Sequence, residues 1–238
     1  MIYTTRFTLF IFIFITSNLL SQTHWETVIY AEDEWSYFVG TNPPPDNWNE
    51  LNFDIGNWSV GPGGFGYADG DDNTTIPNTL SVFFRKSFDI MNIEEILSSA
   101  VHGDYDDGFV VYLNGVEIHR SSNMGEPESQ VEYDQTADVD HEAVMYQGGV
   151  PEVFILNQNS LDGILNTGEN ILGVEVHNVN PTSSDMSGLF YLSFELSDGI
   201  SYYGETPEWF YLPTQFSSSH LPIIVINTGG QEILNGDH

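Results

Sequence analysis

Two β-rich runs separated by only two residues constrain the fold of this chain most strongly. The runs cover residues 109–113 and 116–119, and the residues between them are Asn114 and Gly115. Asn-Gly is typical of a type I′ turn, in which both central residues have positive φ and the backbone twist matches that of two antiparallel strands. The segment therefore predicts a tight β-hairpin that turns at Asn114 and Gly115.

The same pattern extends along most of the chain. Short apolar and aromatic runs recur from Trp25 to Leu196, separated by Gly, Pro, Asn and Asp, and no stretch has a sustained helical period. Strands are expected over residues 81–88, 171–176 and 189–196, and the apolar residues of the last strand alternate with polar ones. Short strands with frequent turn signals predict an all-β sandwich or barrel.

Alternation along the strand at 171–176 assigns its side chains to two faces. Leu172, Val174 and Val176 are expected to face the core, which turns Glu175 and His177 outward together. Two long stretches interrupt the strand pattern. They are the Gly- and aromatic-rich residues 42–72 and the polar, acidic residues 121–149. We expect both to be loops, and loops of this length in a compact domain are usually functional.

The first residues of the chain are not expected to belong to the fold. Arg6 precedes an apolar run, residues 7–15, that is too short to span a bilayer. We expect a signal peptide over residues 1–21 and a secreted or cell-surface bacterial protein with no transmembrane segment after its removal. Since the chain has no cysteine, a secreted domain must be stabilised by its own core or by a metal.

The charge of the chain limits its partners. It has 35 acidic and four basic residues, a net charge of −31. Such a surface repels nucleic acid and anionic membranes, so neither is an expected partner, whereas calcium and neutral sugars are compatible with it. The alternative is that the acidity only provides solubility in a salty exterior.

The composition changes after residue 198. Residues 199–218 read as a linker, and residues 221–228 form a strongly apolar run shortly before His238. We expect the first module to cover residues 22–198 and residues 219–238 to be the truncated start of a second domain.

Four motifs occur in an order that resembles the galactose-binding-like jelly-roll module of secreted multidomain bacterial proteins. They are Gly66-Tyr-Ala-Asp-Gly-Asp-Asp72, the Arg85-Lys86-x-Phe88 strand, Asp106-Asp-Gly-Phe-Val-Val-Tyr-Leu-Asn-Gly115, and Gly173-Val-Glu-Val-His-Asn178 with Ser183-Ser-Asp185. The third is also similar to a hairpin in the sugar-binding jelly rolls of β-galactosidases. The resemblance covers residues 25–198 and implies a jelly-roll β-sandwich that binds carbohydrate.

A second resemblance lies at the end of the chain. Residues 219–233 resemble the first strand of CotH-type domains, a family of atypical kinase-like proteins in which such jelly rolls often precede the kinase-like domain. The family's nucleotide-binding motifs would lie beyond His238, so no catalytic residue is assigned and the chain is not expected to be an enzyme as it stands.

One acidic loop offers candidate metal ligands. Asp69, Asp71, Asp72 and Asn73 supply the hard oxygen atoms that calcium prefers, although the spacing is not that of an EF-hand. Sugar-binding jelly rolls often hold a structural calcium, so the resemblance supports a structural Ca²⁺ at this loop. The alternative is an Asx-rich turn in which these side chains cap their own backbone.

A second acidic cluster precedes the hairpin. Asp104, Asp106 and Asp107 either shape the hairpin entrance or accept hydrogen bonds from sugar hydroxyls at the loop edge. A glycosidase is disfavoured, because its acid and base must flank a cleft at a defined separation and adjacent strand residues point to opposite faces.

His177, Ser183, Ser184 and Asp185 would allow a Ser–His–Asp arrangement, but no Gly-x-Ser-x-Gly elbow surrounds either serine. Because the set belongs to the jelly-roll pattern, we interpret it as structural, with His177 hydrogen-bonded to the turn at residues 183–185.

Two tryptophans are candidates for sugar stacking. Trp48 and Trp58 lie in the Gly-rich stretch, where a flat aromatic ring would carry a sugar ring, although aromatic residues in a sandwich more often belong to the core. The sequence therefore predicts a secreted, non-catalytic module that binds carbohydrate or packs against an adjacent domain. The alternatives are the N-terminal fragment of a CotH-like kinase and a structural spacer or adhesin.

Overall fold

The computed structural model describes residues 23–68, 70 and 72–213, and nearly all of their regular structure is β. The strands are β1 (His24–Ile29), β2 (Glu34–Val39), β3 (Ser59–Pro62), β4 (Phe65–Tyr67), β5 (Thr74–Thr75), β6 (Ser81–Ile90), β7 (Ile96–Asp106), β8 (Gly108–Leu113), β9 (Val116–Arg120), β10 (Glu152–Asn157), β11 (Gly168–His177) and β12 (Met186–Leu196). The helices of the described part are short: α1 (Gln158–Leu161) and two 3-10 turns, Ile93–Glu95 and Met145–Gln147.

The strands form two sheets. The first has the order β10-β7-β12-β4-β5, with β1 also paired to β12, and the second has the order β3-β2-β6-β11-β8-β9. From β6 onward the chain crosses repeatedly between them: β6, β8, β9 and β11 lie in the second sheet, and β7, β10 and β12 lie in the first. All described strand pairs are antiparallel except β4 with β5, and two packed sheets with these crossovers make a jelly-roll β-sandwich, as the sequence predicts.

The core lies between the two sheets. Phe65 stacks on Phe84 with ring centroids 4.7 Å apart, and Phe109 packs against Phe190 at 5.4 Å. These pairs join strands of opposite sheets, which fixes the sheets to each other through aromatic contact. Phe190, Leu192, Phe194 and Leu196 of β12 face this core, as their alternation predicts.

The predicted hairpin is confirmed. β8 and β9 pair antiparallel with Leu113 opposite Val116, and Asn114 and Gly115 have φ of 51° and 86°. The Asn114 amide donates to the carbonyl of Ile164 at 2.8 Å, while its oxygen accepts the N–H of Ile171 at 2.8 Å. The turn is therefore also anchored to the start of β11.

The structure corrects one prediction about β11. Glu175 and His177 do share the face opposite the core, but they are only 3% and 0% exposed. Residues 41–58 and residues 121–149 fold over this outer face of the second sheet and bury it. Alternation along one strand identifies the two faces, but it carries no information about distant loops that cover one of them.

The Gly-rich stretch predicted as a loop also contains two short strands, β3 and β4. Glycine allows the backbone to pass closely here: a Cβ on Gly63 would lie 1.8 Å from the carbonyl oxygen of Ala31, and one on Gly66 would lie 2.0 Å from that of Met186. The glycines therefore serve close strand contact as well as turning.

Residues 199–213, predicted as part of a linker, lie along the outer face of the first sheet. Gly204 exchanges backbone hydrogen bonds with Thr27, and the rings of Trp209 and Phe210 pack on His102 at 5.3 and 5.0 Å. The predicted signal peptide, the remainder of the linker and the CotH-like residues 219–238 lie outside the described residues, and the division into domains stays a prediction.

Candidate functional site

Two of the three carboxylates before the hairpin hold one segment of the long loop 121–149. Asp104 accepts the N–H groups of Val144 and Met145 at 2.8 and 2.9 Å, and Asp107 accepts that of His141 at 2.8 Å. Burial raises the pKa of Asp104, and the two amide hydrogen bonds oppose that rise. These carboxylates therefore position residues 141–145 above the end of β7.

The segment carries His141 into a cluster with Tyr105 and Glu152. The His141 ring stacks on the Tyr105 ring, with centroids 4.1 Å apart and planes at 7°. Nδ1 of His141 lies 3.0 Å from the Tyr105 carbonyl oxygen and Nε2 lies 3.3 Å from Oε1 of Glu152, whose other oxygen accepts the Tyr105 hydroxyl at 2.9 Å. Both imidazole nitrogens face acceptors, which favours the doubly protonated ring.

The charges of this cluster follow from those contacts. Burial lowers the pKa of His141, but the hydrogen bonds to Glu152 and to the Tyr105 carbonyl outweigh it, so the net shift is upward. The hydrogen bond from His141 lowers the pKa of Glu152 against its own desolvation. Both shifts therefore favour the ion pair of imidazolium and carboxylate.

This cluster lines an open cleft of about 700 Å³ at the edge of the sandwich, which we name the edge cleft. At its base the rings of His119 from β9 and Phe154 from β10 stack at 3.8 Å and 26°, joining the edges of the two sheets. Both rings are half-buried and open to the cleft. Apart from Gly125, Pro127 and Val139, the other lining groups are polar or charged, among them Ser121, Ser122, Asn123, Asp140, His141 and Glu152.

A cluster of three carboxylates lies beside this site, and two of its members, Asp106 and Glu142, directly follow Tyr105 and His141 in the chain. Carboxylate oxygens of Asp106, Glu142 and Asp185 lie within 4.8 Å of one another, and we name this group the carboxylate trio. Burial and the adjacent carboxylates of Asp107 and Asp185 raise the pKa of Asp106 to about 9. Burial and the same neighbours also raise the pKa of Glu142. The trio therefore has a geometry and an excess of negative charge that suit a cation.

Polar groups flank the trio on its buried side. Asn178 is fully buried and donates to the hydroxyl of Tyr67 at 2.9 Å, while its side-chain oxygen has no hydrogen-bond partner among the described residues. Burial raises the pKa of Tyr67, and the charges of Asp106 and Asp185 add to that rise. A neutral phenol and an amide thus border the carboxylates.

The predicted calcium loop is described only in part. Asp69 and Asp71 lie outside the described residues. The carboxylate of Asp72 lies beside Gly66, where a Cβ would come 2.2 Å from its Oδ1, and Asn73 donates to the carbonyl of Gly63 at 2.9 Å. Asn73 therefore ties the loop to the turn between β3 and β4, and the calcium assignment to this loop stays a prediction.

The predicted partner of His177 was wrong. Its Nδ1–H donates to the carbonyl of Gln135 at 2.8 Å, and its Nε2 lies 3.3 Å from Oε2 of Glu175. The reason is that the loop over this face is the one at residues 121–149, not the turn that contains Ser183, Ser184 and Asp185. In that turn, Ser184 donates to Asp185 at 2.8 Å, and Asn78 donates to the Ser183 carbonyl at 3.0 Å.

The two tryptophans are buried, and neither lines the edge cleft. Trp48 and Trp58 are 6% and 8% exposed and stack at 6.1 Å on the outer face of the second sheet, together with Phe38, Phe53 and Phe83. Trp48 also lines a second open cleft of about 540 Å³, the face cleft, between residues 43–49 and residues 128–133. The structure thus brings Asp104, Asp106 and Asp107 to one place and the tryptophans to another.

Sequence reasoning missed most of the edge cleft. His119 and Phe154 belong to separate strands whose edges meet only in the folded sandwich, so no local pattern joins them. His141 and Glu142 lie in the loop that was singled out by its length, and their position within an acidic run was an available signal.

Comparison with known proteins gives structural likeness alone. No protein-family model and no curated protein matches the chain. A β-glucuronidase from an uncultured Clostridium sp. is similar over 79% of this chain and 31% of its own, with 14% identity and a TM-score of 0.44. A calcium-binding mutant of Bacteroides uniformis β-glucuronidase 2 is similar over 73% and 18%, with 14% identity and a TM-score of 0.45.

A β-glucuronidase of Dictyoglomus thermophilum is similar over 73% of this chain and 28% of its own, with 13% identity and a TM-score of 0.41. The chain therefore spans less than a third of the length of each of these proteins. None of the helices in the described residues has the length and apolar character needed to cross a bilayer.

Proposed function

We propose that this chain is a secreted, non-catalytic module that binds carbohydrate in the edge cleft. The observation that carries the proposal is the half-buried stack of His119 and Phe154 at the base of a cleft with polar walls. A sugar ring presents apolar C–H groups on its faces and hydroxyls at its rim. Aromatic rings below and hydroxyl, amide and carboxylate groups around it match both.

The state of Glu152 supports binding over hydrolysis. A glycosidase needs a carboxylic acid whose pKa is raised so that it is protonated near neutral pH. Glu152 has its pKa lowered by His141, and both of its oxygens are engaged by His141 and Tyr105. It is suited to accept hydrogen bonds from sugar hydroxyls as a carboxylate.

We further propose that the carboxylate trio binds a structural Ca²⁺. Calcium takes six to eight oxygen ligands with flexible geometry, and carboxylates supply one or two oxygens each, with waters completing the shell. Asp106 is the last residue of β7, Asp185 lies in the turn before β12, and Glu142 belongs to the long loop 121–149. An ion there would join the loop that carries His141 to the sandwich, so calcium would preorganise the edge cleft.

The test combines a glycan screen with matched variants. Residues 22–213 are screened on a broad glycan array with calcium and with EDTA, and hits are titrated by calorimetry. His119→Ala is expected to weaken binding about 5- to 30-fold, because the loss of one good contact costs about 1–2 kcal/mol. His24→Ala serves as the control, because His24 lies in β1 and does not line the edge cleft. It should leave binding unchanged.

If the module binds no glycan on the array in the presence of calcium, the proposal is wrong. A role in packing against an adjacent domain would then be favoured. The CotH-like alternative depends on residues 219–233, which lie outside the described residues. Nucleotide binding by a longer native product that contains those residues would support that alternative.

A further inference from the structure

The face cleft lies over the outer face of the second sheet, and what it binds does not rest on the proposed function. Its base is formed by Trp48, Phe83 and Tyr112, with ring centroids 5.2 Å apart for Trp48 and Phe83 and 5.6 Å apart for Trp48 and Tyr112. Glu175 lies beside them and accepts the Tyr112 hydroxyl at 2.6 Å. The base is therefore apolar, with one buried carboxylate at its margin.

The walls of the face cleft are strongly acidic. Five carboxylates line it, those of Asp46, Glu117, Glu128, Glu132 and Glu175, and no lysine or arginine does. Two have a cationic or titratable neighbour: Arg120 binds both oxygens of Glu117 at 2.7 and 2.6 Å, and His177 lies 3.3 Å from Glu175. Asp46, Glu128 and Glu132 make no ion pair with any described residue.

The geometry indicates what kind of cation fits. Trp48 meets Phe83 and Tyr112 edge to face, at 75° and 84°, and is only 6% exposed, so no open flat ring is available to carry a sugar. The carboxylates are spread along the walls, and among the described residues they form no group close enough to chelate a metal ion. A narrow side chain with an apolar stem and a charged head matches an aromatic base and an acidic rim.

We propose that the face cleft binds a lysine side chain presented by a basic segment of a partner protein. The alkyl stem lies along the ring edges of Trp48 and Tyr112 that reach the cleft, and the ammonium group donates to the carboxylates of Glu128 and Glu132. The ammonium group has three donors, which suits several separate carboxylates better than one bidentate partner. The net charge of −31 attracts such a segment before contact.

The test uses hexalysine and NMR signals of the tryptophan indoles, assigned by Trp→Phe variants. Hexalysine is expected to shift the Trp48 indole signal, and fully Nε-acetylated hexalysine, which keeps the stems but loses the charge, is expected not to. Glu128→Gln with Glu132→Gln should weaken hexalysine binding about fivefold at roughly 0.15 M salt. Both side chains are exposed, so folding is preserved.

The matched control is Glu205→Gln with Glu208→Gln, which removes the same charge. Both side chains are exposed and lie in the segment along the outer face of the first sheet. The control should change the affinity less than about twofold. Equal weakening by both double variants would overturn the proposal in favour of non-specific attraction. A Trp48 shift with neutral oligosaccharides but not with hexalysine would overturn it in favour of a sugar site.

Discussion

At the scale of single residues, Asp106 lies in an unfavourable environment for a charged carboxylate. It is 5% exposed, and its neighbours Asp107, Asp185 and Glu142 are all acidic. Its raised pKa means that the folded protein binds a proton more tightly than the unfolded chain. The stability associated with that proton is present below pH 3.8 and is lost as pH rises toward about 9.

Asp106→Asn is therefore expected to stabilise the calcium-free protein, by about 1–2 kcal/mol at neutral pH, with a difference that widens as pH rises. Calcium is expected to raise the Tm of the wild type and to leave the variant unchanged. The measurement is thermal unfolding in EDTA and in calcium across the pH range. The control is Asp138→Asn, an exposed substitution in the long loop 121–149 that also carries Glu142 of the trio. A variant that still gains stability from calcium would place the ion elsewhere.

The pair His141 and Glu152 gives a second prediction. The raised pKa of His141 stabilises the fold below pH 6.5 and ceases to do so as pH rises through its folded value. The lowered pKa of Glu152 stabilises the fold above pH 4.5 and ceases to do so as pH falls. Their coupling should therefore be largest between pH 4.5 and 6.5.

A double-mutant cycle with His141→Gln and Glu152→Gln measures that coupling from denaturant unfolding. Because both side chains are partly exposed, about 0.5–1 kcal/mol is expected in the window, with a decline above it. A coupling that does not change with pH would show that the two side chains interact without forming an ion pair.

At the scale of elements, the hairpin and the strands were predictable because each depends on neighbours in sequence. The type I′ turn needs only Asn114 and Gly115, and the inward face of β12 needs only alternation. The burial of Glu175 and His177 was not predictable, because it depends on loop residues far away in the chain, such as Gln135, which is 42 positions from His177. The edge cleft was hidden for the same reason, since its walls come from β9, β10 and the long loop.

Gly173 of β11 tests this packing of loop on sheet. A Cβ at this position would lie 3.0 Å from Cβ of Asn49 and 3.2 Å from Cζ3 of Trp48. Gly173→Ala is expected to destabilise the fold by about 1–3 kcal/mol, because the loop must move outward. Denaturant unfolding gives the magnitude, and the Trp48 indole signal reports the movement. Ser87→Ala, exposed on the same face, should change neither.

At the scale of the whole molecule, the net charge of −31 opposes compaction. Sodium chloride screens that repulsion over a Debye length of about 10 Å at 0.1 M, so the Tm should rise with salt. Calcium at matched ionic strength should give a further rise in the wild type. The Asp106→Asn variant should keep the salt effect. A Tm that falls with sodium chloride would show that local ion pairs outweigh the global repulsion.

The long loop, residues 121–149, has a consequence for how the two clefts behave together. Its residues 121–127 and 139–141 line the edge cleft, and residues 128–133 line the face cleft. Arg120 clamps the part between them through the carbonyl of Met124 and through Ser129. If both proposed ligands bind, a ligand that displaces this common wall from one side would alter the affinity for the ligand on the other side. Thermodynamic linkage then requires that the second ligand change the affinity for the first by the same factor. The two dissimilar ligands would therefore be coupled allosterically.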